Sequence, residues 1–309
     1  MPERSIEELR ARADGPELAG SLFVADGSEP QPVILMVGGS GPTDRHNDVY
    51  FPPIRAGLLD RGVAVASFDK RGVGGSTGRW TDTGPEEQAA DAAAEIEALR
   101  AHPAVDPARV GIFGHSQGGW VVLEVAARDP RLAFVITNSG PGVSPFRQER
   151  YAVECGLRRD RRSPASVAEV LVRFDRLAGL IRDGAPLDDL ADLARDPDLA
   201  RHTLVPTSAD VLQLMRSWLD HDPRPALEAI RVPLLAIFGE LDTIVPVDES
   251  VEVFRAARAG RPGGLEVAIT PGGDHRSQVG DPPNLPAVYH ETLGDWVVRH
   301  LGPRQGRGT

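Results

Sequence analysis

The 309-residue chain has one cysteine, Cys155, and one lysine, Lys70. A single thiol excludes an internal disulfide and makes a reducing, cytoplasmic compartment the expectation. Lys70 is followed by Arg71, so the Gly-Lys-Ser/Thr step of a phosphate-binding loop is absent, and Schiff-base chemistry would have to use this one lysine. No apolar run approaches the roughly 18 residues of a membrane span. The opening residues are charged and lack an apolar segment of the secretory kind, so no signal is expected. Neither a His-x-x-x-His pair nor a cysteine cluster is present, so neither a metal nor another cofactor is expected. A net charge of −11 disfavours a general nucleic-acid or anionic-membrane binder and leaves small molecules as the expected partners. Composition leaves the oligomeric state open between monomer and homodimer.

What the chain does have is 41% hydrophobic residues, at a length able to bury a large core. Short apolar runs alternate with helical patterns. Runs at 33–37, 63–68, 110–113, 132–137, 232–238 and 265–270 predict strands, with those at 33–37 and 63–68 buried. Helices are expected at 51–60, 86–100, 117–128, 247–259 and 285–301. Such alternation predicts a mostly parallel, twisted α/β sheet with helices on both faces. Residues 18–24 and 33–37 look like a hairpin leading into a buried strand, turning at Asp26-Gly27-Ser28. Residues 1–17 predict a charged arm without a core role, and the Gly- and Arg-rich C-terminus predicts a frayed end. Between 142 and 230 the alternation lapses. Val167, Val170, Leu171, Phe174, Leu177, Leu180 and Ile181 mark an amphipathic helix there, with further helices expected at 186–195 and 208–220. A structureless loop of that length is implausible, so a helical cap inserted into a core of 18–141 and 231–303 is the expectation.

The most informative stretch is 109–127, a strand, a sharp turn and an apolar helix around Gly114-His115-Ser116-Gln117-Gly118. Glycine and serine populate many turns, so the pattern alone is weak; a strand directly before it and a helix directly after make Ser116 a candidate nucleophile. Such a turn places the Gln117 amide at a helix N-terminus, where it can meet negative charge developing on a substrate oxygen. The loop Gly38-Gly39-Ser40-Gly41-Pro42 follows a strand and is a candidate for the second donor, assigned to the Ser40 main chain with Gly39 and Gly41 as neighbours. Asp44, Arg45 and His46 are candidates for substrate contact, although an Asp-Arg pair fixing the loop is the simpler role. Asp69 is expected to accept local hydrogen bonds.

A serine hydroxyl needs a base, and the base needs an orienting group. Among the eight histidines, only His275 follows the last sheet strand in a glycine-rich loop on the same edge as Ser116. His115 adjoins Ser116, but its side chain should diverge. Asp242 also follows a strand on that edge, and Glu240 and Asp274 compete with it as the acid.

The order Ser116, Asp242, His275 resembles that of α/β-hydrolase-fold serine hydrolases. More narrowly, the chain is similar to bacterial carboxylesterases and serine aminopeptidase-like hydrolases. The loops at 39–45 and 69–76, the elbow at 114–119, Gly239-x-x-Asp242 and Asp274-His275 carry the likeness, while the cap matches no motif. The resemblance favours Asp242 over Glu240 and implies an acyl-enzyme on Ser116, with His275 as base and the Ser40 and Gln117 amides as oxyanion hole. A carboxylic ester is the leading substrate. Thioester, lactone, amide or carbon–carbon cleavage, acyl transfer and cyclisation would use the same residues, and a non-catalytic binding protein is a third class. Tyr151, Phe174 and Trp218 are available to roof the pocket, against the simpler role of cap core.

Overall fold

The computed structural model describes residues 4–25 and 29–301. The anticipated turn at Asp26-Gly27-Ser28 and the C-terminal end beyond 301 lie outside the described residues. In chain order come strands β1 (Arg4–Arg12), β2 (Glu17–Ala25) and β3 (Gln31–Val37), helix α1 (Phe51–Leu59), strand β4 (Ala64–Phe68) and helix α2 (Pro85–Arg100). Strand β5 (Val105–His115), helix α3 (Gln117–Arg128) and strand β6 (Val135–Asn138) follow. Six helices separate β6 from β7: α4 (Pro145–Arg159), α5 (Pro164–Arg182), α6 (Ala191–Ala194), α7 (Pro197–His202), α8 (Ala209–Trp218) and α9 (Arg224–Ala229). The chain closes with β7 (Leu234–Gly239), α10 (Val247–Arg258), β8 (Glu266–Thr270) and α11 (Ala287–Leu301).

The eight strands form one sheet in the order β1-β2-β4-β3-β5-β6-β7-β8. β1 and β2 run antiparallel at one edge, with Leu9 opposite Gly20, and β2 runs antiparallel to β4. Every other pair is parallel. β4 and β7 are buried along their whole length, which is why they appear as continuous apolar runs rather than alternating ones. One face packs on α2, α3, α9 and α10 through Ile96, Val122, Leu227 and Phe254. The other packs on α1 and α11 through Ile54, Leu58, Leu293 and Trp296.

Three expectations are corrected. The N-terminal arm is largely strand β1: Leu9, Ala11 and Ala13 alternate into the core while Glu8, Arg10 and Arg12 face out, and such charges protect an edge strand from further pairing. The expected hairpin does not form. β2 pairs with β1 and β4, never with β3, because β4 lies between β2 and β3 in the sheet. Third, the 142–230 insertion is helical but not wholly separate. Its own cluster joins Val153, Leu157, Val170, Leu177 and Leu199, whereas Leu227 and Ile230 belong to the sheet's core beside α3 and α10. α4 was not foreseen, although its start was legible: Pro145 occupies the first turn, and the Ser144 side chain accepts from the Arg147 amide at 3.4 Å, as a helix cap does.

Candidate active site

β5 delivers the chain to the elbow, and the glycines around Ser116 answer to three different neighbours. A Cβ at Gly114 would lie 2.1 Å from the Gly118 carbonyl oxygen, and one at Gly118 would lie 2.5 Å from the carbonyl oxygen of Val37 at the end of β3. A Cβ at Gly119 would be as crowded, 2.4 Å from the Gly140 Cα in the loop beyond β6. Ser116 itself has φ 54° and ψ −121°, a region that non-glycine residues avoid and that persists only where the surroundings impose it. Its amide donates to Asn138 at 3.0 Å. The turn therefore lifts the hydroxyl above the carboxyl-terminal edge of the sheet.

Parallel pairing brings the loops after β3, β5, β7 and β8 to that same edge. The Ser116 hydroxyl lies 2.9 Å from His275 Nε2, and His275 Nδ1 lies 2.8 Å from Asp242 Oδ2. The Asp242 side chain is fully shielded from solvent. Its other oxygen, Oδ1, accepts from the Ile244 and Val245 amides at 2.8 and 2.9 Å. One oxygen thus anchors the carboxylate to its loop and the other orients the imidazole. With Nδ1–H donating to the carboxylate, Nε2 is left to accept the serine proton.

The competing acids have other partners. Glu240 accepts from the Gly272 amide at 2.7 Å, tying the β7 loop to the turn after β8. Asp274 accepts from the Arg276 and Gln278 amides at 2.8 and 2.9 Å. His115 takes a hydrogen bond from Asn47 at 3.2 Å and packs its ring against those of Tyr50 and His275. Burial holds its pKa well below the ordinary histidine value.

The loop after β3 passes close to the nucleophile: a Cβ at Gly39 would stand 3.4 Å from that of Ser116. Arg45 fixes this loop, though not through Asp44. Its guanidinium and amide grip Asp69 at 2.8–3.2 Å, and the Gly75 amide adds a further bond at 3.0 Å. Burial raises the Asp69 pKa, but those hydrogen bonds outweigh it and leave the carboxyl below its ordinary value. Lys70, next in sequence, donates from Nζ to the Gly39 carbonyl and, at 3.3 Å, to Gln117 Oε1. Its side chain as a whole is half-buried, yet burial of the ammonium draws its pKa down to about 7.

Above the serine opens a cavity of about 370 Å³. Ser40, Ser116 and Gln117 form its floor, and Phe174, Ile181, Met215 and Trp218 from the insertion form its roof. Phe174 and Trp218 therefore lie where pocket residues were expected. Tyr151 does not; its hydroxyl donates to the Asp242 carbonyl at 3.2 Å, and nearby Gln148 donates to that of Ile244 at 3.1 Å. α4 is thus bolted to the acid's loop. Trp218 also donates to Thr83 at 2.9 Å and packs against Trp120, which ties α8 to the sheet domain. Sequence reasoning missed Glu149, the single ionisable side chain on the cavity wall. Burial raises its pKa, and a hydrogen bond from Thr203 at 2.8 Å opposes the rise without cancelling it. Among the described residues no group of three metal-ligating side chains occurs, and no helix is long and apolar enough to cross a membrane.

A family model for X-Pro dipeptidyl-peptidases (S15 family) matches residues 14–276. The chain is 25% identical over 266 residues to esterase EstD of Thermotoga maritima, a match covering 83% of this chain and 57% of that relative, so it spans little more than half of EstD's length. It is 30% identical over 300 residues to the polyketide transferase GrgF of a Penicillium species, covering 93% of this chain and 94% of GrgF. The solved Pyrococcus furiosus esterase Pf2001 superposes with a TM-score of 0.67 at 18% identity, covering 97% of this chain and 92% of that one.

Proposed function

Because the chain belongs to the X-Pro dipeptidyl-peptidase (S15) family within the α/β-hydrolases, we propose that it is a serine hydrolase cleaving carboxylic esters of small molecules. The observation that carries this reading is the hydrogen-bonded series Ser116, His275, Asp242 opening on a largely apolar cavity. Ser116 attacks the ester carbonyl as His275 takes its proton, and the alkoxide that forms is held by the Ser40 and Gln117 amides. His275 then protonates the departing alcohol, leaving an acyl-serine. Water activated by the same imidazole releases the acid and restores the serine. Asp242 keeps the imidazole in the productive tautomer and stabilises its protonated form.

The insertion acts as the lid of this pocket and supplies its acyl specificity. A cavity of about 370 Å³ sits at the small end of ligand sites and suits short to medium acyl chains. Release of p-nitrophenol from acetyl to decanoyl esters tests the reading, with turnover expected at the short and medium lengths. Absence of turnover at every length would move the substrate to an amide, lactone or thioester. Likeness to a polyketide transferase over nearly the whole chain favours one second reading, acyl transfer to an acceptor other than water. Product analysis with an added alcohol separates the two, since a transferase makes the new ester at the expense of the free acid.

A further inference from the structure

We propose that Lys70 is a positioning residue for the oxyanion hole, its ammonium polarising the Gly39–Ser40 peptide and fixing Gln117 so that both backbone donors face the reacting oxygen. This rests on the reading of Ser40 and Gln117 given above.

The argument starts from covalent connectivity. The carbonyl of Gly39 and the amide N–H of Ser40 belong to one planar peptide group. A cation hydrogen-bonded to that carbonyl draws electron density toward its oxygen and makes the N–H at the other end a stronger donor. Lys70 Nζ makes this bond. The resulting order is ammonium, peptide dipole, oxyanion, with opposite charges facing each other at each step.

A second bond from the same ammonium reaches the other donor residue. Lys70 Nζ lies 3.3 Å from Gln117 Oε1, which also accepts from Gln88 Nε2 at 3.4 Å. Gln88 in turn donates to Thr83 Oγ1 at 3.3 Å. The side chain of Gln117 is thereby held at the start of α3, where the residue forms part of the cavity floor. The parallel pairing of β3 with β4 supplies the geometry, because it sets Lys70 beside the loop that leaves β3. The Lys70 amide also donates to the Thr43 carbonyl at 3.2 Å.

Burial opposes the charge, and the surroundings restore part of it. Behind the ammonium a small cavity of about 40 Å³ is bordered by Gln88, Asp91 and Glu95 of α2. Asp91 is already engaged by Arg71 at 2.7 Å. The two oxygen acceptors favour the charged lysine. A chain that uses arginine for every other basic side chain keeps its one lysine here. Two acceptors converging on one point in a confined space suit a compact ammonium better than a planar guanidinium.

The test compares Lys70→Met and Lys70→Gln with wild type in ester turnover and in affinity for an alkyl boronic acid, which forms a tetrahedral adduct on the serine. Affinity for the unreacted ester is measured with each change placed in the Ser116→Ala background. Lys70→Met should lower kcat/KM by about 30- to 100-fold and weaken boronate binding in proportion, with ester affinity changed less than about threefold. Lys70→Gln retains a donor without charge and should fall between; it carries the test alone should the Met variant fail to fold. Lys70→Arg should recover part of the lost turnover. Equal losses of boronate and ester affinity would overturn the proposal by making Lys70 a shaper of the pocket, and so would unchanged turnover. A wild-type enzyme that binds no boronate would instead remove the reading of Ser116 beneath it.

Discussion

Replacing Asp242 by Asn probes the relay with little change of shape. In the native site Oδ1 accepts the Ile244 and Val245 amides, and Oδ2 alone faces His275. Asparagine keeps the first pair of bonds by placing its carbonyl oxygen at Oδ1. Its amide nitrogen then occupies the Oδ2 position and presents hydrogens to His275 Nδ1. The ring answers by moving its proton to Nε2, which now donates toward Ser116 and can no longer accept the serine proton. Loss of the productive tautomer together with the carboxylate's charge lowers kcat/KM by about 10³- to 10⁴-fold, equivalent to about 4–5.5 kcal/mol of transition-state stabilisation. Stability should change little, because the loop's anchoring bonds survive. Initial rates on p-nitrophenyl butyrate with thermal melting of both proteins give the two readouts. A variant within about tenfold of wild-type turnover, equally folded, would refute the reasoning.

Two further substitutions address buried carboxyls. Glu149→Gln removes the one ionisable group of the cavity wall; it should raise kcat/KM for uncharged esters and lower it about tenfold for a matched ester bearing an ammonium group. An unchanged ratio between the two substrates would take Glu149 out of recognition. Burial raises the Glu95 pKa well above its ordinary 4.5, with Asp91 adding to the rise and Lys70 opposing it. Its folded pKa therefore exceeds the unfolded one, so its stabilising contribution is complete below the unfolded value and is lost as pH rises through the folded value. Glu95→Gln escapes that loss. Urea unfolding should show the variant gaining on wild type between about pH 5 and pH 8; a difference that shrinks over this range would contradict the assignment.

The parallel half of the fold was legible because its central strands, such as β4, β6 and β7, are buried along their length and separated by helices. The antiparallel edge was not, for a physical reason visible in β1: Glu7, Glu8, Arg10 and Arg12 dominate the composition, and the alternation of Leu9, Ala11 and Ala13 beneath them is short and built from small residues. Pairing of β2 with β4 is a tertiary choice with no local signature. At the site, the glycines, the elbow and the spacing of Ser116, Asp242 and His275 reveal themselves because chemistry and backbone sterics restrict residue type. Glu149 and Lys70 give no such signal. Glu149 matters only because α4 folds over the serine, and Lys70 only because β3 and β4 are neighbours. Residues whose roles arise from packing between distant segments have no motif to betray them.

The central claim is that Ser116 is an activated nucleophile. Intact-mass analysis after incubation with an alkyl fluorophosphonate tests it on wild type and on Ser116→Ala. The account predicts one phosphonyl adduct on wild type and none on the variant. An unmodified wild type, or equal labelling of both proteins, would contradict it.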